Sequence, residues 1–149
     1  MVDILHRIGV TAAPDEVYAA LSTIDGLAGW WTEDTHGDPD VDGVIQFRFA
    51  GAGGEGFDMK VLESKADELV RWEVVDGPGE WIGTHVAFEL SQVDNWAIVL
   101  FKHEGWKEPV EFMHHCSTKW ASFLLSLKKY VETGKGDPSP NDVEISNWP

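Results

Sequence analysis

The chain has 149 residues, 26 of them acidic and 11 basic, so its formal net charge at neutral pH is −15. This length is typical of one domain, and the charge disfavours nucleic acids and anionic membrane surfaces, which the chain would repel. We expect a cytoplasmic protein without membrane insertion, because no apolar run reaches the ~18 residues of a membrane span, the N-terminus is too polar for a secretory signal, and the single Cys116 cannot form an internal disulfide.

The N-terminal part of the chain predicts a strand followed by helix. Val2–Ile8 has the composition of a short strand, and Pro14 suits the first position of a helix. Apolar residues then recur at helical spacing until Gly26 and Gly29 interrupt the pattern, just before Trp30. We therefore predict two short helices, or one broken helix, after the first strand.

The middle of the chain changes to the period of two that is typical of half-buried strands. Four segments alternate in this way, with apolar residues at Ile45-Phe47-Phe49, Phe57-Met59-Val61, Val70-Trp72-Val74 and Val86-Phe88-Leu90. A further strand, Trp96–His103, is apolar on both faces, so its inward set stays open. The connecting loops, such as the hairpin loop Gly51–Gly56, are too short for parallel crossovers, which predicts an antiparallel meander.

The C-terminal part predicts one long helix and a tail. Val110–Thr133 contains no Gly or Pro, carries an apolar stripe and is followed by Gly134, a residue that suits a helix end. The segment Lys135–Pro149 is rich in Pro, Asp and Asn, which predicts an extended tail that Trp148 could hold against the domain. The fold class is then α+β, with a curved antiparallel sheet wrapped around a long C-terminal helix. We expect one domain over residues 1–136 and an extended tail over 137–149.

Four stretches carry a resemblance to a known family: Ala12–Leu21, Trp30-Trp31-Thr32, Phe101–Trp106 and Ser126–Gly134. With them the chain resembles the START-like or SRPBCC superfamily and, within it, the family named after activators of the heat-shock protein 90 ATPase. The resemblance covers about residues 1–136. It implies the helix-grip fold and a cavity that in relatives takes lipids, sterols, polyketides or other hydrophobic molecules. It implies no catalytic motif.

Large side chains at the inward positions of the strands and the long helix are candidates for lining such a cavity. The predicted ligand-binding residues are Trp31, Phe47, Phe49, Phe57, Met59, Trp72, Trp81, Phe101, His103, Cys116, Trp120 and Phe123. A closed core filled by the same rings is the competing interpretation. Trp81 lies in the segment Gly77–Gly83, which is either a lid over the cavity or a surface turn with a packed ring.

Three functions remain open at this point. The leading one is a binding protein for a small hydrophobic molecule, lipid-like, aromatic or polyketide-like. The alternatives are a cavity enzyme of the cyclase or hydratase kind, with His103 or His115 as acid or base, and a chaperone-associated interaction domain. A homodimer and a chaperone partner also stay open.

Metal and cofactor chemistry find little support in the residue pattern. The chain has no His-x-x-x-His or Cys-x-x-Cys spacing, and the rings of His114 and His115 diverge on a helix. Cys116 has no base at a suitable position to activate it as a nucleophile. We expect no metal and no cofactor.

Overall fold

The computed structural model describes residues 1–50 and 53–148 of the chain. Within these residues the chain forms seven strands and three helices. In chain order they are β1 (Val2–Val10), α1 (Pro14–Ser22), α2 (Ile24–Trp30), β2 (Asp34–Gly37), β3 (Val44–Phe49), β4 (Glu55–Lys65), β5 (Leu69–Asp76), β6 (His85–Val93), β7 (Trp96–Trp106) and α3 (Glu111–Thr133). Of the predicted loop Gly51–Gly56, Gly51 and Ala52 lie outside the described residues, as does Pro149 of the tail.

The helices begin and end where local chemistry favours it. Pro14 occupies the first turn of α1, and the hydroxyl of Thr23 accepts a hydrogen bond from the Gly26 amide (3.0 Å), which caps the start of α2. Helix α3 ends at Gly134, whose φ of 86° is in the left-handed region that glycine adopts without strain. The two short helices and the long C-terminal helix are therefore confirmed.

All seven strands form one antiparallel sheet in the order β1-β7-β6-β5-β4-β3-β2. Consecutive strands from β2 to β7 are neighbours, as short loops require, and β1 pairs with β7 at one edge of the sheet. Register shifts interrupt the β1–β7 and β4–β5 pairs, and such bulges bend a sheet. The predicted α+β helix-grip fold with a curved sheet is confirmed.

Strand β2 is the element that the sequence pattern did not predict. Its four residues include an aspartate and a glycine, and only Thr35 is buried, so no alternation marks it as a strand. It forms because Thr35 lies opposite Phe47 of β3 and donates from its hydroxyl to the carbonyl of Thr32 (2.6 Å). The formation of β2 therefore depends on its pairing with β3, a strand that the sequence pattern does predict.

The sequence did not determine which face of β7 points inward. In the structure, the inward face is the one that carries Phe101 and His103. Both are buried, whereas Leu100 is 40% exposed on the outer face. Phe101 meets Trp120 of α3 with ring centroids 4.5 Å apart, which places the apolar stripe of α3 against the sheet. The inner face of β7 is therefore covered by α3, whereas its apolar outer face includes the exposed Leu100.

Aromatic rings form a continuous chain through the space between the sheet and α3. Trp31 stacks on Trp72 (6.1 Å between centroids), Trp72 meets Phe88 (5.2 Å), and Phe88 meets Phe101 (5.3 Å). Each of these four side chains is at most 2% exposed. The middle of the helix grip is thus packed core, as the competing interpretation expected.

The segment after α3 contains no helix or strand within residues 135–148, apart from an isolated bridge between Thr32 and Ser139. The Ser139 amide donates to the carbonyl of Trp31 (2.8 Å), and the Glu33 amide donates to the carbonyl of Ser139 (3.1 Å). The segment then runs along α3. In the same described part of the chain, no helix has the length and hydropathy that a membrane crossing requires.

Candidate ligand-binding groove

A groove of about 1200 Å³ opens at one end of the helix grip. Its walls are the ends of β3, β4 and β5 with the β5–β6 loop, the first half of α3, and the segment after α3. As the described residues define it, the groove is lined by eight aromatic side chains: Trp31, Phe49, Phe57, Trp81, Phe112, Trp120, Phe123 and Trp148. The space between the sheet and α3 that these residues line is an open groove and not an enclosed cavity.

The predicted ligand-binding residues divide into two groups. Seven of them line the groove: Trp31, Phe49, Phe57, Trp81, Cys116, Trp120 and Phe123. The other five lie in the packed core beside it: Phe47, Met59, Trp72, Phe101 and His103. The alternation along a strand identifies the residues that face inward, but it does not distinguish those that line the groove from those in the core. That difference depends on how far along its strand each residue lies.

Trp81 forms the floor of the groove. Its ring stacks on Phe57 (4.0 Å between centroids, 9° between planes) and on Trp120 (5.9 Å, 16°), and only 4% of it is exposed. Its indole N–H donates to the sulfur of Cys116 (3.4 Å). In this structure the ring is part of the packed interior, and the loop around it is held closed by the bond from the Gly83 amide to the Val74 carbonyl (2.9 Å).

Cys116 is a protonated thiol at neutral pH. Burial raises the pKa of this thiol to about 12; the hydrogen bond from Trp81 opposes the shift and the negative charge of Glu80 adds to it. Because the thiolate is the reactive form of cysteine, Cys116 is held in its inert form.

His103 is completely buried, and both of its ring nitrogens are hydrogen-bonded. Nδ1 accepts from the indole N–H of Trp120 (3.1 Å), which leaves Nε2 to donate to the hydroxyl of Thr84 (2.8 Å). Burial lowers the pKa of His103 to about 3. The ring is therefore neutral, with both nitrogens occupied, and it does not line the groove.

His115 occupies a different place, on the groove wall that α3 provides. Its Nδ1 lies 3.1 Å from the hydroxyl of Ser146, and its ring contacts Phe112 (6.2 Å) and Trp148 (5.3 Å). The structure thus places one of the two candidate histidines in the groove and the other in the core.

Charged residues form the rim of the groove. The carboxylates of Glu55, Asp76, Glu80, Asp142 and Glu144 line it, together with the cationic side chains of Arg48 and Lys119. Arg48 is paired with Asp58 and Lys119 with Asp142, each at 2.7 Å. Across residues 1–50 and 53–148, no group of three His, Cys, Asp or Glu side chains is arranged to hold a metal ion.

The wall formed by Ser139–Trp148 is the part of the site that the sequence did not predict. Trp148 contacts Phe112 (6.0 Å between centroids), and Lys119 reaches both the carboxylate of Asp142 and the carbonyl of Val143 (3.4 Å). From Trp148 the sequence predicted that this segment packs against the domain, but not that it borders the groove, because a tryptophan needs a surface to pack against without specifying which one.

Comparisons with known proteins agree with this geometry. The family model described as "Activator of Hsp90 ATPase homolog 1-like protein" matches residues 11–132. A search of the curated proteins found no match. Among solved structures, the chain is similar to the Aha1 dimer from Colwellia psychrerythraea, with 46% identity, a TM-score of 0.83, and coverage of 91% of this chain and all of that one.

Two more distant structures share the fold. CalU16 from Micromonospora echinospora is 20% identical with a TM-score of 0.73, covering 93% of this chain and 77% of that one. DynU16, a protein of the dynemicin biosynthetic locus, is 21% identical with a TM-score of 0.73, covering 90% of this chain and 48% of that one. At these identities the similarity concerns the fold alone.

Proposed function

Because the chain belongs to the Activator of Hsp90 ATPase homolog 1-like protein family, we propose that it binds a small hydrophobic molecule, aromatic, lipid-like or polyketide-like, in the groove between the sheet ends and α3. The observation that carries this proposal is the lining. Eight aromatic rings surround a space of about 1200 Å³, which is ample for a drug-sized ligand. Mainly apolar and aromatic surfaces line such sites, and in this groove charged side chains stand beside the rings.

The chemistry of the groove supports binding more than catalysis. The Cys116 thiol, with a pKa of about 12, has no nucleophilic form at neutral pH. Both nitrogens of His103 are occupied, so it has no free position with which to take or give a proton. An acid–base reaction in the groove would therefore depend on His115, whose Nδ1 is already close to Ser146.

Fold relatives give the proposal a second, weaker support. DynU16 is described as a protein of the dynemicin biosynthetic locus, so a chain with this fold is encoded among genes for the synthesis of a small molecule. The two proteins share the fold, and the proposal for the present chain rests on its own groove.

The experiment that tests the proposal is mass spectrometry of the gently purified protein, first intact and then denatured, to detect released small molecules. A screen of lipids and aromatic compounds by thermal shift accompanies it. We expect a retained molecule, or screen compounds that raise the melting temperature. No retained molecule and no stabilising compound would contradict the proposal.

A matched pair of variants on α3 locates the site. Phe112→Ala removes a ring that lines the groove, whereas Leu125→Ala truncates a side chain that is 59% exposed and does not line it. We expect binding to weaken roughly tenfold in the first variant, which corresponds to about 1.4 kcal/mol of lost contact, and to stay unchanged in the second. Equal affinities in the two variants would place the ligand elsewhere.

We also propose that the chain forms a homodimer. The structure to which it is 46% identical is that of a dimer. The outer face of β1 and β7 exposes three large apolar side chains: Leu5 (64%), Trp96 (44%) and Leu100 (40%). Leu5 lies opposite Lys102 and Leu100 opposite Arg7, so the two leucines are diagonal neighbours on one face that a second copy could cover.

A further inference from the structure

Within residues 1–50 and 53–148, the two cationic side chains that line the groove, Arg48 and Lys119, are both paired with carboxylates. Nη1 of Arg48 donates to the Asp58 carboxylate (2.7 Å) and to the carbonyl of its neighbour Phe47 (3.0 Å). Nζ of Lys119 donates to the Asp142 carboxylate (2.7 Å) in a pair whose two side chains are at most 20% exposed. Both cations are therefore neutralised by the protein itself.

Negative charge, in contrast, surrounds the opening without being neutralised. Glu55, Asp76, Glu80 and Glu144 come from three separate segments of the chain, and no ion pair in the part that the structure describes includes any of them. Glu80 directly precedes Trp81 of the groove floor, and its charge contributes to the raised pKa of Cys116 on the same floor. At least one carboxylate therefore lies close enough to the groove floor to act on a group there.

From this combination we propose that the ligand is a hydrophobic cation, namely an amine or quaternary ammonium group on an aromatic or aliphatic body, an inference that rests on the proposed function. The aromatic rings supply the apolar contact, and their faces attract a cation placed over them. The carboxylates at the rim add attraction that water and salt reduce without abolishing. A carboxylate ligand would meet no free cation in the groove and would lose hydration without compensation.

The experiment compares three probes with the same ring system and different charge: 1-naphthylmethylamine, 1-naphthylmethanol and 1-naphthoic acid. Binding to the full-length protein is measured by isothermal titration calorimetry at pH 7 in low and high salt. We expect the amine to bind most tightly and the acid least, with roughly a tenfold or greater ratio between them at low salt that shrinks in 0.5 M NaCl.

A pair of double variants tests whether the rim carboxylates cause the preference. Glu55→Gln with Glu80→Gln removes two charges from the groove, whereas Glu68→Gln with Glu108→Gln removes two exposed charges that do not line it. We expect the ratio of amine to alcohol affinity to fall toward one in the first double variant and to persist in the second.

The outcomes separate the two proposals. If the alcohol binds and the acid binds as tightly as the amine, or if both double variants behave alike, the cation inference is overturned while the proposed binding function stands. If none of the three probes binds and no other small molecule is retained, both are overturned.

Discussion

The indole N–H of Trp120 on α3 donates to Nδ1 of His103 on β7 across 3.1 Å, in a position that excludes solvent. This bond fixes the histidine as the tautomer that carries its proton on Nε2, which then donates to the Thr84 hydroxyl. Thr84 in turn donates to the carbonyl of Trp81. A single chain of hydrogen bonds therefore connects the long helix, the sheet and the floor of the groove.

The burial of His103 predicts that the protein loses stability in acid. Its pKa falls from an ordinary value of 6.5 to about 3 in the folded chain, so the unfolded state binds the extra proton between these values. Above pH 6.5 the neutral His103 costs the folded state nothing relative to the unfolded state. As the pH falls toward 3, the free energy of unfolding decreases progressively, by an amount on the order of several kcal/mol. Urea unfolding of the wild type and of His103→Gln between pH 7 and 4 measures it. Parallel pH profiles for the two proteins would show that His103 does not cause the loss.

The hydrogen bond from Trp120 to His103 predicts that two Trp→Phe substitutions at buried positions lower the free energy of unfolding by different amounts. Trp120→Phe leaves Nδ1 of His103 buried without a donor, whereas Trp72→Phe removes an indole N–H that has no partner among the described residues. We expect Trp120→Phe to lower the free energy of unfolding by about 1–3 kcal/mol more than Trp72→Phe does. Both changes remove the same atoms from buried sites, so equal losses in urea unfolding would argue that the Trp120 bond contributes nothing.

Cys116 provides a prediction with a direct chemical measurement. With its pKa raised from 9.0 to about 12, the folded thiol holds far less thiolate at pH 8 than the unfolded chain. We expect it to react with a disulfide reagent such as DTNB on the order of a thousandfold more slowly when folded. The protein has only this cysteine, so the same reaction in guanidinium chloride gives the reference rate. Rapid labelling of the folded protein would contradict the inert assignment.

Because the segment after α3 forms one wall of the groove, we expect two C-terminal truncations to differ in their effect on stability. A chain ending at Pro140 keeps Ser139 and its two backbone hydrogen bonds but loses Asp142 and Trp148 from the groove, whereas a chain ending at Gly136 loses all of these. We expect ligand affinity to fall in both. Stability should fall by about 1–3 kcal/mol more in the shorter chain, because it leaves the Trp31 carbonyl and the Glu33 amide without their partners. Wild-type affinity in both truncated chains would exclude this segment from the site.

The proposed homodimer predicts sensitivity to charge on the outer face of the sheet. Leu100→Glu places a carboxylate among the exposed apolar residues of β1 and β7, and Leu125→Glu makes the same change on α3. Sedimentation or light scattering should show a dimer that the first substitution dissociates and the second leaves intact, because taking a carboxylate out of water into an apolar interface is costly. A wild-type protein that stays monomeric at high concentration would refute the dimer.

Much of this fold follows from local patterns. The alternation around Phe47 and Trp72 specifies strands because the side-chain period of a strand is two, and the uninterrupted stripe of α3 specifies a helix because its apolar residues recur every three or four positions. Short loops then leave the antiparallel meander as the arrangement available to consecutive strands. These patterns did not predict strand β2, because a four-residue edge strand with polar side chains forms only by pairing with its neighbour.

The candidate site depended on information of another kind. The sequence by itself determined which residues of the four alternating strands and of the long helix face inward, and for that reason it placed rings such as Phe47 and Trp120 in the interior, whereas the position of Trp81 and the inward face of β7 stayed open. Only the tertiary structure decided that Phe101 and His103 are sealed in the core, that Phe57 and Phe123 border open space, and that a polar tail returns to form a wall. The physical reason is that periodicity is a local property of the backbone, whereas a groove is defined by distances between segments far apart in the chain.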